Sequence, residues 1–387
     1  MIYSDFQGLK LSMLGFGSMR LPTGSDDGDV NVRKSKALVE AAFKAGINYF
    51  DTAWGYHMGK SETIMGELLK EYPRDSFYLS SKFPGYDISN FGKHEEIFEK
   101  QLEKCQVEYF DFYFIHNVCE LNIDYYLDED KYHTIAYFLE QKAKGRIKHL
   151  GFSSHGTVET LTRFLDRFGD QMEFAMIQLN YLDYTLQRGK EKVELLNSRN
   201  LPIWVMEPLR GGTLADMPAE QFNNIKDLRE NSTPIEWAFK FLQSIPGVTV
   251  ILSGMSNMKQ MEEKIKLFEE KDALDLTEFI AILEFAKDVF SEKTIPCTGC
   301  RYCVPHCPKH LDIPAIVKAY NENVISEGGF LAPFFVQALP EDKRPSACIG
   351  CKSCEKVCTQ QIKLADIIQE FGKEMDEKLA AMFKATE

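Results

Sequence analysis

The chain lacks an excess of positive charge. Its 45 Lys and Arg stand against 58 Asp and Glu, for a formal net charge of −13 over 387 residues. Nucleic acid or an anionic membrane surface is therefore not expected as a main partner. No apolar run reaches the roughly 18 residues that a bilayer span requires. No charged start leads into an apolar stretch with a cleavage site, so a cytoplasmic protein is expected. Cysteine is nearly missing from the first three-quarters of the chain. Cys105 and Cys119 stand alone there, and the other eight of the ten fall between Cys297 and Cys358. A disulfide framework would spread its cysteines through a short secreted chain, so this crowding reads as metal binding. Also missing is a G-x-G-x-x-G turn after the first apolar run, the signature of an open doubly wound dinucleotide-binding sheet.

Short apolar runs alternate with helix-period segments. Strands are expected at Met13–Gly17, ending at Asp51, at Phe77–Lys82, Phe110–His116, Ile147–Ser154, Phe174–Asn180, Pro202–Met206 and Val248–Ser253. Helices are expected at Lys34–Ala45, Ser61–Leu69, about 93–106, about 125–144, 158–168, about 187–198, 233–243 and, following the last strand, to about 271. Eight such alternations in roughly 270 residues predict an α/β fold of the (β/α)₈ TIM-barrel type. The barrel domain is placed at residues 1–275. A linker helix, about Asp275–Phe290, then leads a small, mostly helical domain at 276–387. The Gly- and Pro-containing stretch Pro208–Asn231 is long enough to be a functional loop.

Three successive strands end on a titratable residue. Asn48-Tyr-Phe-Asp-Thr-Ala-Trp-Gly-Tyr56 carries Asp51 and then Tyr56, the third strand stops at Lys82, and the fourth at His116. Groups at the C-terminal ends of barrel strands are where such folds place their chemistry. A Lys ammonium beside a Tyr favours the phenolate, an Asp keeps that Lys charged, and a neutral His can orient a carbonyl oxygen. The set suits protonation of a carbonyl oxygen as hydride reaches the carbon. Singly, each has a plainer reading: Asp51 as a helix cap, Lys82 as a solvated cation, His116 as a core histidine.

Residues 11–270 resemble an aldo-keto reductase. The runs FDTAWGY and SSKF, and the IH that ends the fourth strand, are similar to the family's catalytic segments in the same order. The resemblance implies Asp51, Tyr56, Lys82 and His116 as a catalytic tetrad with Tyr56 the proton donor, a small carbonyl or alcohol substrate, and NADP(H) or NAD(H) as cofactor. It implies that Ser153, Ser154 and Gln178 hold the nicotinamide carboxamide, with Met206 and Leu209 nearby. Ser253, Gly254, Met255, Ser256, Lys259, Gln260 and Glu263 would form the phosphate-binding turn at a helix N-terminus. Met206 stands where the family often has a stacking Tyr. The Arg that commonly meets a 2′-phosphate is lacking, and Lys264 replaces an Asn that meets adenine. The nucleotide preference is thus open.

Cys297-x₂-Cys300-x₂-Cys303-x₃-Cys307-Pro308 is the bacterial ferredoxin spacing, and Cys348-x₂-Cys351-x₂-Cys354-x₃-Cys358 repeats it without the Pro. A zinc site uses paired C-x₂-C halves rather than two four-Cys runs. In two-cluster proteins the fourth Cys ligates the other cluster. Two [4Fe–4S] clusters are therefore expected, one on Cys297, Cys300, Cys303 and Cys358, the other on Cys348, Cys351, Cys354 and Cys307. The long connection between the motifs, with helical spacing at Ile313, Ile316, Val317 and Tyr320, resembles the helical dicluster ferredoxin modules of some reductases.

Nicotinamide moves two electrons at once and a cluster moves one, with no flavin motif between to convert them. Three readings remain open. In one, a carbonyl reductase has clusters that exchange electrons with a ferredoxin-like partner or the substrate. In another, a nicotinamide-binding sensor or scaffold has clusters that mediate a protein contact. In the third, a reductase has clusters that are structural.

Overall fold

The structure, a computed structural model, describes residues 1–24, 29–217, 222, 225, 227–230, 232–291, 294–297, 299, 301, 303–358 and 361–384. Two compact units emerge: residues 1–217 with 226–280, and residues 218–225 with 281–387.

The first unit is a closed barrel of eight parallel strands: β3 (Leu14–Gly17), β4 (Tyr49–Asp51), β5 (Tyr78–Phe83), β6 (Phe110–Val118), β7 (Ile147–Ser154), β8 (Ala175–Gln178), β9 (Ile203–Met206) and β10 (Val248–Gly254), with β10 pairing back to β3. Parallel strands are covered on both faces, which is why these runs read as nearly continuous apolar stretches. Helices follow the strands, among them Val32–Lys44, Ser61–Leu69, His94–Cys105, Val158–Phe168, Gly189–Ser198, Pro234–Gln243 and Met258–Leu267. Ahead of them lies an antiparallel hairpin, β1 (Tyr3–Phe6) with β2 (Leu9–Ser12), that the sequence pattern did not announce. Phe6 packs edge-on to Trp204, Phe174 and His149 and so plugs the barrel interior. Among the described residues, no helix is long and apolar enough to cross a membrane.

One expected helix is broken. The segment about 125–144 forms three pieces, Ile123–Leu127, Glu129–Tyr132 and Thr134–Ala143. Asp128 caps the second piece by accepting the Lys131 N–H, and the Glu129 carboxylate accepts the Ile135 and Ala136 N–H groups at 2.8 and 2.9 Å. Between these pieces His133 sits in the left-handed region. Local caps defeat the continuous apolar period here. The helix after β10 likewise stops at Leu267 rather than near 271.

The second unit is helical, with Ile313–Ile325, Leu331–Ala338, Ser353–Lys356 and Ala365–Lys384. Its core joins Leu311, Ile313, Ile316, Val317, Val336, Leu364, Ile368, Phe371 and Met375 to the sulfurs of Cys303 and Cys354. The Asn321 side chain binds both the N–H and the carbonyl of Ile295, fixing the chain just before Cys297.

Candidate active site and cysteine sites

Strand register builds the tetrad. Asp51 pairs with Ser80 across β4 and β5, and Lys82 lies two residues on, facing the same side of the sheet. Lys82 Nζ therefore reaches Asp51 Oδ2 at 2.7 Å, the Thr52 carbonyl at 2.8 Å and the Tyr56 hydroxyl at 3.4 Å. Ser80 donates to the other Asp51 oxygen at 2.8 Å. Both members of the Lys82–Asp51 pair are buried. Burial pushes the Asp51 carboxyl up, against the pull of Lys82. Lys82 is raised on balance, since Asp51 and Tyr56 together outweigh burial. From the residues alone, the Lys82 charge is expected to lower the pKa of Tyr56. It does pull that way, but burial dominates and Tyr56 sits above the usual phenol range. The hydroxyl therefore keeps its proton at neutral pH.

His116 lies on the same face of β6, two residues before the strand's end at Val118. Burial, then the Lys82 charge, hold its imidazole well below 6.5, so it is neutral. Its buried Nδ1 has no hydrogen-bond partner. Its carbonyl accepts the Tyr126 hydroxyl at 2.8 Å, in a space that exists because residue 85 is glycine: a Cβ there would lie 1.8 Å from that oxygen. Tyr126 is buried beneath the site, and Tyr125 packs on Phe91 and Tyr132. The aromatic ring beside His116 is Tyr86, edge-on at 5.4 Å.

The outward side of β5 carries a second set that sequence reasoning missed. Glu62, fully buried, accepts from Ser81 at 2.6 Å, from Gln101 at 2.6 Å and from Lys104 at 3.2 Å. Gln101 also donates to the Lys82 carbonyl at 3.0 Å. Lys104 donates to the Gly59 carbonyl and lies 4.0 Å over the Trp54 ring. At the other end of the same loop Ser61 meets Thr52 and Ser18. The loop bearing Tyr56 is thus clamped from both sides. The signal in sequence was faint: a Glu at a helix start reads first as dipole compensation.

A cleft of about 600 Å³ opens over Asp51 and Tyr56. Met206, Leu209, Ser253, Gly254, Ser256, Lys259, Gln260 and Glu263 line it, with Lys264, Arg20, Glu207 and Asp216. Arg20 lies across Gly254, where a Cβ would stand 2.6 Å from its Cγ. Met255 is buried away from this lining. Ser153 accepts the Asn117 N–H at 2.9 Å, and Ser154 donates to the Val118 carbonyl at 2.7 Å while accepting the Gly156 N–H at 3.0 Å. Gln178 donates to Asp183 at 2.7 Å and meets His155 at 3.1 Å. Arg210 holds Asp183 from the far side. These three polar side chains are engaged within the protein. The remaining donor set fits a dinucleotide: cations, a capped helix N-terminus and an apolar floor in one cleft leading to Tyr56.

In the second unit, Cys307, Cys348, Cys351 and Cys354 line one small cavity with Leu311, Ile313 and Ile368. Burial, then the nearby Glu355 and the thiols of Cys348 and Cys303, push Cys354 up to about 11. Such a thiol ionises when a positive metal stands beside it, so the donors fit an iron–sulfur cluster. No three described His, Cys, Asp or Glu side chains converge on a single ion, and cubane ligands need not, since each binds its own iron. Cys297 and Cys303 lie in the same core, Cys358 is half-buried, and Cys300 lies outside the described residues. The two motifs share a backbone device. Gly299 (φ 70°) and Arg301 (φ 64°) flank Cys300 as Gly350 (φ 68°) and Lys352 (φ 58°) flank Cys351. Left-handed residues placed beside a cysteine can turn backbone N–H groups toward an anion, as around cluster sulfurs.

The family comparisons agree with this division. The aldo/keto reductase family model matches residues 13–285, and a 4Fe-4S dicluster domain model matches residues 296–362. The chain belongs to the aldo/keto reductase family, an NAD(P)-dependent oxidoreductase barrel followed by a 4Fe-4S dicluster domain. It is 27% identical over 308 residues to L-galactose dehydrogenase of Arabidopsis thaliana, covering 73% of this chain and 93% of that one. An aldo-keto reductase from Bacillus halodurans in its holo form shares the fold with TM-score 0.62 and 24% identity, over 74% of this chain and 97% of that one. One from Klebsiella pneumoniae in complex with NADP and acetate does so with TM-score 0.58 and 16% identity, over 72% and 93%.

Proposed function

We propose that the barrel reduces a small carbonyl compound to an alcohol with NAD(P)H, Tyr56 serving as general acid. The observation that carries this reading is the Asp51–Lys82–Tyr56 chain at 2.7 and 3.4 Å, formed at the end of an open cleft. A bound nicotinamide supplies hydride to the carbonyl carbon. Tyr56 Oη donates its proton to the carbonyl oxygen, and Lys82, kept charged by Asp51, stabilises the phenolate left behind. Neutral His116 orients the substrate oxygen by donating from its ring. Tyr86, beside His116, forms an aromatic wall for the substrate. Cys348, Cys351, Cys354 and Cys307 hold one [4Fe–4S] cluster, and Cys297, Cys300, Cys303 and Cys358 a second. Clusters held so near the surface, with Cys351 exposed, suit one-electron exchange with a ferredoxin-like partner.

Tyr56→Phe keeps the ring and deletes the proton. Turnover of an aldehyde should fall by about 10²–10⁴-fold, with NAD(P)H binding retained. Undiminished turnover would remove Tyr56 from the role. The sensor reading predicts no carbonyl turnover by the unaltered chain at all.

A further inference from the structure

The cavity shared by Cys307, Cys348, Cys351 and Cys354 opens at a mouth of its own. Pro308, Lys309, Ile349 and Lys352 also line it, and all four are exposed. Ile349 is 56% exposed although it lies between two cysteines, and Cys351 is exposed as well. The mouth thus has an apolar centre with charges around it, the anatomy of a protein contact.

Those charges are mostly of one sign. From Cys297 to His310 and from Cys348 to Lys363 the sequence holds Arg301, Lys309, Lys352, Lys356 and Lys363 against the single acid Glu355, in a chain of net charge −13. Glu355 is engaged, accepting the Ala365 N–H at 2.8 Å. Acids just outside these stretches answer two of the cations: Asp312 meets Arg301 at 3.0 Å, and Asp366 meets Lys352 at 3.4 Å. Lys343 reaches the Lys309 carbonyl at 3.0 Å but is matched by Asp342 at 3.2 Å. Among the described residues, Lys309, Lys356 and Lys363 have no such acid. Lys356 stands close enough for its charge to bear on the Cys351 sulfur. Nucleic acid is disfavoured by the charge of the chain as a whole, whereas an acidic protein surface of limited size matches a local cationic rim.

We propose that this mouth is the electron port of the second unit and docks a small, acidic one-electron carrier protein, with Lys309 and Lys356 guiding it to the edge where Cys351 is exposed. This rests on reading the second unit as a holder of clusters that exchange single electrons. A reduced carrier gives up one electron there and the cluster takes it, with no proton or atom moved. Opposite charges at such a rim set chiefly how fast the two proteins meet, and salt screens that attraction.

The test is anaerobic stopped-flow mixing of the whole, cluster-loaded chain with an acidic flavodoxin in its hydroquinone form, read at the flavin semiquinone absorbance. The second-order rate should fall at least about tenfold as salt is raised from roughly 0.01 M to 0.15 M. Lys309→Glu combined with Lys356→Glu should slow it about tenfold at the lower salt, with iron content and thermal melt unchanged. Lys373→Glu, at an exposed position about two turns into the helix Ala365–Lys384, should change it less than about twofold. A rate indifferent to salt and to the paired reversal overturns the charged port and leaves one-electron exchange standing. A rate that rises with salt overturns it in the same way. Equal slowing by Lys373→Glu overturns the assignment to this mouth. Clusters that dithionite reduces but flavodoxin does not, at any salt, overturn both the port and the reading beneath it.

Discussion

In the barrel, Lys82 has three protein partners before any ligand arrives: Asp51, Thr52 and Tyr56. In the second unit, Cys307, Cys348, Cys351 and Cys354 face a common cavity, and burial, then Glu355 and the other thiols, oppose ionisation of Cys354. The first site is finished by the fold that surrounds it. The second consists of thiols that, on the cluster reading, gain their strongest partner only from iron. A barrel with an aromatic and aliphatic interior can hold its chemistry ready at its rim. A small unit whose core includes its own ligands depends on the metal for much of its folding energy.

Removing iron should break this contrast most visibly. Anaerobic chelation should cost the second unit its helical circular dichroism, while the barrel keeps its own cooperative melt. Structural zinc sites contribute on the order of 10 kcal/mol to small domains, which sets the scale expected here. Barrel and second unit melting together and equally would erase the distinction. Next in size is Lys82→Met. It leaves Asp51 as an uncompensated buried charge, and loss of a buried partner costs about 3–5 kcal/mol. The barrel's denaturation midpoint should drop accordingly; a drop below about 1 kcal/mol would mean that Asp51 takes up a proton and the pair matters little for stability.

Glu62→Gln sharpens the same comparison from behind the site. Glu62 touches no reacting atom, but it holds Ser81, Gln101 and Lys104 behind Lys82 and the Tyr56 loop. The expected result is a fall in kcat of about tenfold with KM nearly unchanged, since small misplacement of a catalytic group costs rate rather than binding. Equal losses in kcat and stability with Glu62→Asp offering no rescue would make it a structural residue only.

The most gradual effect is with pH. Burial, with lesser help from His133 for one and Lys192 for the other, lowers His94 and His155 to about 4, and burial with the Lys82 charge lowers His116 as well. An unfolded chain binds those protons near pH 6.5 and the native barrel does not. Barrel stability should therefore be full above about pH 6.5 and fall as pH drops from there toward 4, by on the order of 1 kcal/mol per histidine per pH unit. A barrel melt flat between pH 7 and 5 would contradict that burial.

The barrel was legible because its strands are buried on both faces and carry, at or near their C-terminal ends, residues whose types are rare at such places: Asp51, Lys82, His116. The cysteine spacing was legible because ligation demands it. Three things were not. The hairpin carrying Phe6 is short and half polar, with nothing in its pattern to tell a plug from a loose terminus. The break near His133 comes from Asp128 and Glu129 binding backbone N–H groups, which overrides an apolar period that runs straight through. Glu62 and Tyr86 act through tertiary contacts, Glu62 with Gln101 and Lys104 thirty-nine and forty-two residues away, which no local pattern encodes. The sign of the Tyr56 shift was also out of reach, since burial of that hydroxyl is a property of the closed barrel.

The most direct test is anaerobic mixing of the cluster-loaded chain with NADH, first alone and then with a small aldehyde, following nicotinamide and cluster absorbance together. A reductase whose barrel is complete in itself predicts stable NADH and oxidised clusters until the aldehyde is added. Nicotinamide should then be consumed, and Tyr56→Phe should abolish that consumption. Bleaching of the clusters by NADH alone, or aldehyde reduction undisturbed by Tyr56→Phe, would contradict the account.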